Sequence, residues 1–157
     1  MPSAKRIILS KIDIEGGKLT YGQRIELGKI FQADTNDVEK FNKTFECLHQ
    51  YTPKVADYKT LINYFKEIID GIHFWIECEK LLKYDPTPEE MQAGIVSFCE
   101  KVGEFATIKS IAKAYGKDPD EIMKWEYGKV FGILYTDMEE SKFQKRLNKV
   151  FERKYKK

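Results

Sequence analysis

The chain is poor in the residues that mark secreted, metal-binding or membrane proteins. It has three cysteines, two histidines and five prolines in 157 residues. Cys47, Cys78 and Cys99 are far apart and odd in number, with no CxxC or other ligand spacing. Neither a disulfide framework nor a zinc site is encoded, and free thiols in a reducing cytoplasm are expected. Long hydrophobic runs are absent as well. The apolar stretch after Lys5 and Arg6 is only Ile7-Ile8-Leu9, short of the roughly 7–15 residues of a signal peptide. No window reaches the ~20 apolar residues of a membrane span, so a cytoplasmic protein is expected. Excess charge of one sign is missing too: 27 Lys+Arg face 25 Asp+Glu, for a net charge of +2. That excludes a globally basic nucleic-acid coat and an acidic tail protein. What is present is a core, with 42% hydrophobic and 13% aromatic residues. A single domain over 1–157 of this size is stable without disulfides or metal.

Most of the pattern is helical. Residues 6–14, RIILSKIDI, are β-branched and alternate at Ile8, Ser10, Ile12 and Ile14, which predicts one N-terminal strand or small β element closed by Gly16-Gly17. Helix signals follow. Thr20-Tyr21-Gly22-Gln23 is a capping box, and Asn36 to Glu39 opens a second helix carrying Val38, Phe41, Phe45 and Leu48. The longest pattern runs from Asp57 to about Lys83, with the stripe Leu61, Phe65, Ile68, Ile72 and Trp75 widened by Ile62, Ile69 and Ile76. So wide an arc predicts packing on more than one neighbour. Thr87-Pro88-Glu89-Glu90 is the clearest helix start, followed by Met91, Ile95, Phe98 and Val102 on one side. Short helices at Thr107–Gly116 and after Asp118-Pro119 come next. The final stretch starts near Tyr127, with a break expected at Thr136-Asp137-Met138-Glu139. The reading is a mainly α domain of about six to eight helices, with its one plausible seam near 84–88.

No catalytic motif emerges. Cys47 and His49 are two residues apart, about 200° around a helix, and form no nucleophile–base pair. His73, beside Phe74 and Trp75, reads as an interface or partly buried histidine. Glu77–Lys80 and Glu79–Lys83 read as ordinary helix-surface pairs. Gly16-Gly17 lacks a following Lys-Ser/Thr, so it is a turn rather than a phosphate cradle. The expectation is no enzyme, no metal and no cofactor.

Two segments carry binding potential. Residues 110–125 have the shape of a helix-turn-helix, with Ala112, Gly116, Ile122 and Trp125 in the packing positions. Its second helix begins with Asp118, Asp120 and Glu121, which would meet phosphates. An αα-corner used for packing is therefore favoured over a DNA reader. The C-terminal helix places Phe143, Leu147, Val150 and Phe151 on one arc, with Lys142, Lys145, Arg146, Lys149, Arg153 and Lys156 on an adjoining flank. One reading is a basic amphipathic helix that binds a partner, with Lys142, Lys145, Arg146, Lys149 and Arg153 as candidate contacts. The other is a terminal helix packed by its apolar stripe, its cations favoured by the helix dipole.

The second half of the chain supports a family resemblance. The order runs Thr87-Pro88-Glu89-Glu90 with Ala93-Gly94, then Gly103, Phe105, Thr107 and Ile108, then Asp118-Pro119-Asp120-Glu121. It continues through Trp125-Glu126-Tyr127-Gly128-Lys129-Val130-Phe131 to Glu139-Glu140, Phe143 and Gln144-Lys145-Arg146-Leu147. This resembles tail assembly chaperones of tailed phages and prophages. The resemblance implies a largely helical, self-associating protein without enzymatic activity, at work in the host-cell cytoplasm. It implies that the chain coats a tape measure protein and helps to recruit tail tube subunits. It carries over no catalytic residue and implies no membrane or nucleic-acid partner. The alternative reading is a small nucleic-acid-binding regulator that uses the 110–125 corner or the basic C-terminal helix.

Overall fold

The computed structural model describes residues 11–50 and 57–156. Among these residues there are eight α-helices and no strand: α1 Tyr21–Gln32, α2 Asp37–His49, α3 Tyr58–Glu79, α4 Pro88–Gln92, α5 Ile95–Val102, α6 Phe105–Tyr115, α7 Pro119–Met123 and α8 Tyr127–Tyr155. A 3₁₀ turn, Lys80–Leu82, follows α3. The mainly α class read from the sequence is present. The expected strand falls largely on residues 6–10, outside the described residues. Its remainder, 11–14, leads into a turn without a ladder partner.

Helix starts follow side-chain chemistry closely. Thr20 and Gln23 form the expected capping box at α1, and Thr87 and Glu90 form another at α4. Each satisfies N–H groups that the first turn leaves without partners. Asn36 caps α2 through the Glu39 N–H, and Asp118 caps α7 through the Asp120 N–H. Two expectations about helix length are overturned. The helix after Thr87 is split, because Gly94 takes φ +83 between α4 and α5. The break at 136–139 does not form, and α8 runs unbroken for 29 residues, longer than the 22 of α3. Neither Gly nor Pro stands at that point, so the capping side chains do not outcompete the helix backbone bonds.

The core is built around α3. Leu61, Tyr64, Ile68, Ile72 and Trp75 are buried along one face. The amino half of that face meets α1 and α2 through aromatic rings: Phe65 lies 5.1 Å from Phe41 and 6.3 Å from Phe31. The carboxyl half meets α8, with Trp75 edge-on to Tyr127 at 4.9 Å and to Phe131 at 5.2 Å. Ile108, Ile111, Ala112 and Ile122 close the core from α6 and α7. The widening row is not all covered, since Ile62 and Ile76 are exposed and Ile69 is half-buried. Of the residues read on one side after Thr87, Ile95 and Val102 are half-buried and Met91 and Phe98 are exposed, so none joins the buried core.

One backbone clasp joins the ends of the fold. Residues 17–21 lie antiparallel to 125–128 through an isolated bridge between Thr20 and Glu126. Tyr21 N–H donates to the Trp125 carbonyl at 2.8 Å, Tyr127 N–H to Leu19 at 2.8 Å, and Gly128 N–H to Gly17 at 3.1 Å. The Trp75 indole N–H donates to the Ile14 carbonyl at 2.7 Å in the buried interior. The turn at 13–18 takes the chain there, closed by Gly17 N–H to Ile14 O and by Gly16 N–H to the Asp13 carboxylate. Gly17 sits at φ +72, and a Cβ there would fall 2.7 Å from the Gly128 backbone. Gly71 serves a like purpose on α3, where a Cβ would strike Ile14.

The clasp predicts opposite effects for two glycines. Gly17→Ala adds left-handed strain and a backbone clash, so it is expected to lower stability by about 2 kcal/mol or more. Gly132→Ala, mid-helix on α8 with nothing within 4 Å of the added carbon, is expected to leave stability unchanged or raise it by up to about 1 kcal/mol. Urea unfolding midpoints of the two variants check both.

Candidate functional site

Two regions concentrate unusual side chains. The first is a cavity of about 500 Å³ between α1, α3, α8 and the start of α6. At its heart Arg24 and Glu79 form a bidentate pair, with Nε to Oε1 at 3.0 Å and Nη2 to Oε2 at 2.8 Å. The Tyr127 hydroxyl donates to Glu79 Oε1 at 2.6 Å. The guanidinium also lies 5.8 Å from the centre of the Tyr127 ring, which stacks on Tyr21 at 5.9 Å. Glu79 was expected to pair with Lys83 on the helix surface. Instead it turns inward, because residue 79 continues the buried stripe 61-68-72-75 by one more turn. That phase was the available signal, overridden in the reading by the general exposure of glutamate.

The chemistry of this cavity is that of a clamp. The Arg24 side chain is only 11% exposed, so its charge is compensated where water screens it poorly. Burial, then the Glu79 hydrogen bond and charge, holds the Tyr127 phenol far above its ordinary range. Burial, followed by the charge of Glu104, does the same for Tyr21. Both phenols stay protonated near neutral pH and serve as donors rather than bases. Arg24 and Glu79 are each engaged with the other.

The remaining titratable side chains of interest point apart. Cys47 is half-buried and its Sγ lies 3.8 Å from the Gln23 carbonyl. Burial pushes its thiol up to about 11, with Glu26 adding to the shift. His49 lies on another side of α2, where Nε2 is 2.9 Å from the Tyr64 hydroxyl. That hydroxyl also accepts from the Ile12 N–H at 2.9 Å. Desolvation lowers the imidazole pKa below its ordinary value. His73, expected at an interface or partly buried, is exposed. Among the described residues no group of three or more His, Cys, Asp or Glu is placed to hold a metal ion.

The second region is the outer end of α8. Its buried residues are Tyr127 and Val130, in its first turn. Past Glu139 only Leu147 is shielded, and Phe143, Val150, Phe151 and Tyr155 are exposed. The expected packing of this stripe on the core is therefore not seen. The candidate contacts Lys142, Lys145, Arg146, Lys149 and Arg153 are all exposed along this end. Lys142 lies 3.3 Å from Glu139, and the Lys145 ammonium lies 5.7 Å from the centre of the Tyr84 ring. Arg146, Lys149 and Arg153 have no ion-pair partner among the described residues. A groove of about 420 Å³ lies between residues 82–85 and α8 at 137–145. The 110–125 corner, by contrast, is tied inward. Ile122 is fully buried, Tyr115 meets Trp125 edge-on at 5.4 Å, and Lys129 covers the Trp125 ring at 3.8 Å.

The Arg24–Glu79–Tyr127 clamp is testable as a unit. Glu79→Leu leaves a poorly solvated guanidinium and a phenol without an acceptor, and is expected to cost about 2–3 kcal/mol. Adding Arg24→Leu recovers part of that loss, for a coupling of about 1–3 kcal/mol in a double-mutant cycle; zero coupling would sink the assignment. The exposed Lys80–Glu77 pair is the control, expected below about 1 kcal/mol.

His49 supplies a separate pH signature. Its folded pKa is depressed, so the unfolded chain binds the proton more readily. Its contribution is complete above the unfolded value of about 6.5 and is lost as pH falls below it. Unfolding midpoints between about pH 5 and pH 7 are expected to fall more steeply for the natural chain than for His49→Gln. Equal slopes would exclude His49 as the source.

Compared with family models, with curated proteins and with solved structures, the chain matches none.

Proposed function

We propose that this chain is a non-enzymatic assembly chaperone of the tailed-phage tail type, acting in the host-cell cytoplasm. It binds a long, apolar, helical tape measure protein, keeps it soluble, and helps to bring tail tube subunits to it. The observation that carries the reading is the outer end of α8. There Phe143, Val150, Phe151 and Tyr155 are exposed beside seven cations and a single acid between Lys142 and Lys156. Exposed apolar stripes of this kind, rimmed by charge, mark protein-interaction surfaces. The order of motifs from Thr87 onward supports the same family. The clamp around Arg24 supports it in another way, since a rigid α8 root presents a binding helix in a fixed direction. Lys142, Lys145, Arg146, Lys149 and Arg153 flank the stripe and steer acidic segments of a client toward it. No membrane or nucleic-acid partner belongs to this reading.

Co-expression with a tape measure protein tests it. The client is expected to move from the pellet to the soluble fraction and to co-purify with the chain. Phe143→Asp combined with Phe151→Asp, both outside the core, is expected to reduce co-purified client by at least about 10-fold. A client that stays insoluble with the natural chain, or that co-purifies equally with the variant, excludes the reading.

A further inference from the structure

The cavity beside the clamp holds more polar capacity than the clamp engages. Its volume of about 500 Å³ falls within the roughly 300–1,000 Å³ of small-molecule sites. The Arg24 side chain is 11% exposed, and its pair with Glu79 engages only Nε and Nη2. Nη1, which carries two further N–H groups, has no hydrogen-bond partner among the described residues. Donors on so poorly exposed a group call for an acceptor.

Gly28 leaves the approach to Nη1 open. It lines the cavity, and a Cβ there would lie 3.3 Å from Nη1 and within 4 Å of no other side chain or neighbouring element. Glycine inside a helix is unfavourable relative to alanine. No close packing of α1 on a neighbour requires it here, so access to the guanidinium is what the missing side chain provides.

The charges of the wall decide what kind of molecule fits. Arg24 and Lys29 line the cavity together with Glu79 and Glu104, so the wall has no net charge. A simple anion would set a third negative charge among two carboxylates, and a simple cation a third positive charge among two cations. A molecule that carries both signs avoids either repulsion. The unengaged groups lie on different elements, Nη1 on α1 and a carboxylate just before α6. Glu104 makes no side-chain cap to α6 and takes the Tyr21 hydroxyl instead. A carboxylate has about four acceptor sites, so room is left for a ligand ammonium. Ile25 and Leu134 add apolar wall.

We propose that this cavity binds a free α-amino acid as its zwitterion, with the carboxylate on Arg24 Nη1, the ammonium on Glu104 and the side chain against Ile25 and Leu134. The carboxylate takes charge-assisted bonds from a guanidinium that water screens poorly. Bound there, the ligand ties α1 to the start of α6 and stabilises the folded chain. The site uses no residue of the exposed α8 stripe and does not rest on the chaperone reading. Its assay uses the purified chain alone, so failure to capture a tape measure protein leaves it intact.

Isothermal titration of the full chain with each of the common L-amino acids tests it, with acetate and n-butylamine as probes of one charge each. At least one amino acid is expected to bind with a Kd below about 1 mM. Acetate and n-butylamine are expected to bind at least about 10-fold more weakly, because each meets only one of the two groups. Gly28→Leu places a side chain over Nη1, and Glu104→Gln removes the negative charge but keeps an acceptor for Tyr21. Each is expected to weaken binding at least about 10-fold. Circular dichroism checks that both fold, and Glu104 is exposed, so Glu104→Gln decides the matter where Gly28→Leu alters the fold. A chain that binds no amino acid below about 1 mM overturns the proposal. Binding that a folded variant retains in full, or that acetate or n-butylamine matches, overturns it as well.

Discussion

The fold depends on the backbone clasp between residues 17–21 and 125–128. Helices satisfy their own backbone groups, so nothing in helix formation alone tells the first helix where the last one lies. The three N–H···O bonds between these segments, with the Trp75 indole on the Ile14 carbonyl, supply that information. The three backbone bonds join parts of the chain more than a hundred residues apart, and the indole ties them to the carboxyl half of α3. Leu19, fully buried inside the clasp, makes it part of the hydrophobic core and not a surface decoration.

The polar clamp builds on the clasp. Once Tyr127 is fixed by its N–H to Leu19, its hydroxyl reaches Glu79, and Glu79 reaches Arg24. α1, α3 and α8 are thereby pinned at one point. This half-buried charge pair, shared with the Tyr127 hydroxyl, fixes how the three helices meet. Its consequence for function is directional: with the root of α8 held from both sides, the rest of a 29-residue helix extends past the core. The apolar and basic side chains at its end stay available to a partner. A helix packed along its full length would leave none.

Much of the local structure was legible. The caps at Thr20, Asn36, Thr87 and Asp118 bind groups three residues away or less, so the sequence contains both halves of each interaction. The buried stripe of α3 was legible for the same reason, since a period of 3.6 residues is written in the order of side chains. Several of the readings that failed concern what lies opposite a face. Met91, Ile95, Phe98 and Val102 share one side of their segment, yet among the described residues Ile95 and Val102 are only half covered and Met91 and Phe98 are exposed. Glu79 has the identity of a surface residue and the phase of a buried one, and only the position of Arg24 decides between them. The capping residues at 136–139 were overruled because α8 continues without a glycine or proline to end it.

The sequence by itself determined the helical class, the helix starts capped by Thr20, Asn36, Thr87 and Asp118, and the contrast of charge between the acidic start of α7 and the basic end of α8. Each of these depends on side chains close together along the chain, or on composition, and needs no knowledge of distant contacts. Tertiary structure alone decided which apolar faces are covered, that Glu79 faces inward, and that the basic end of α8 extends beyond the core. Burial is a property of pairs of surfaces, and the order of residues on one surface does not specify what meets it.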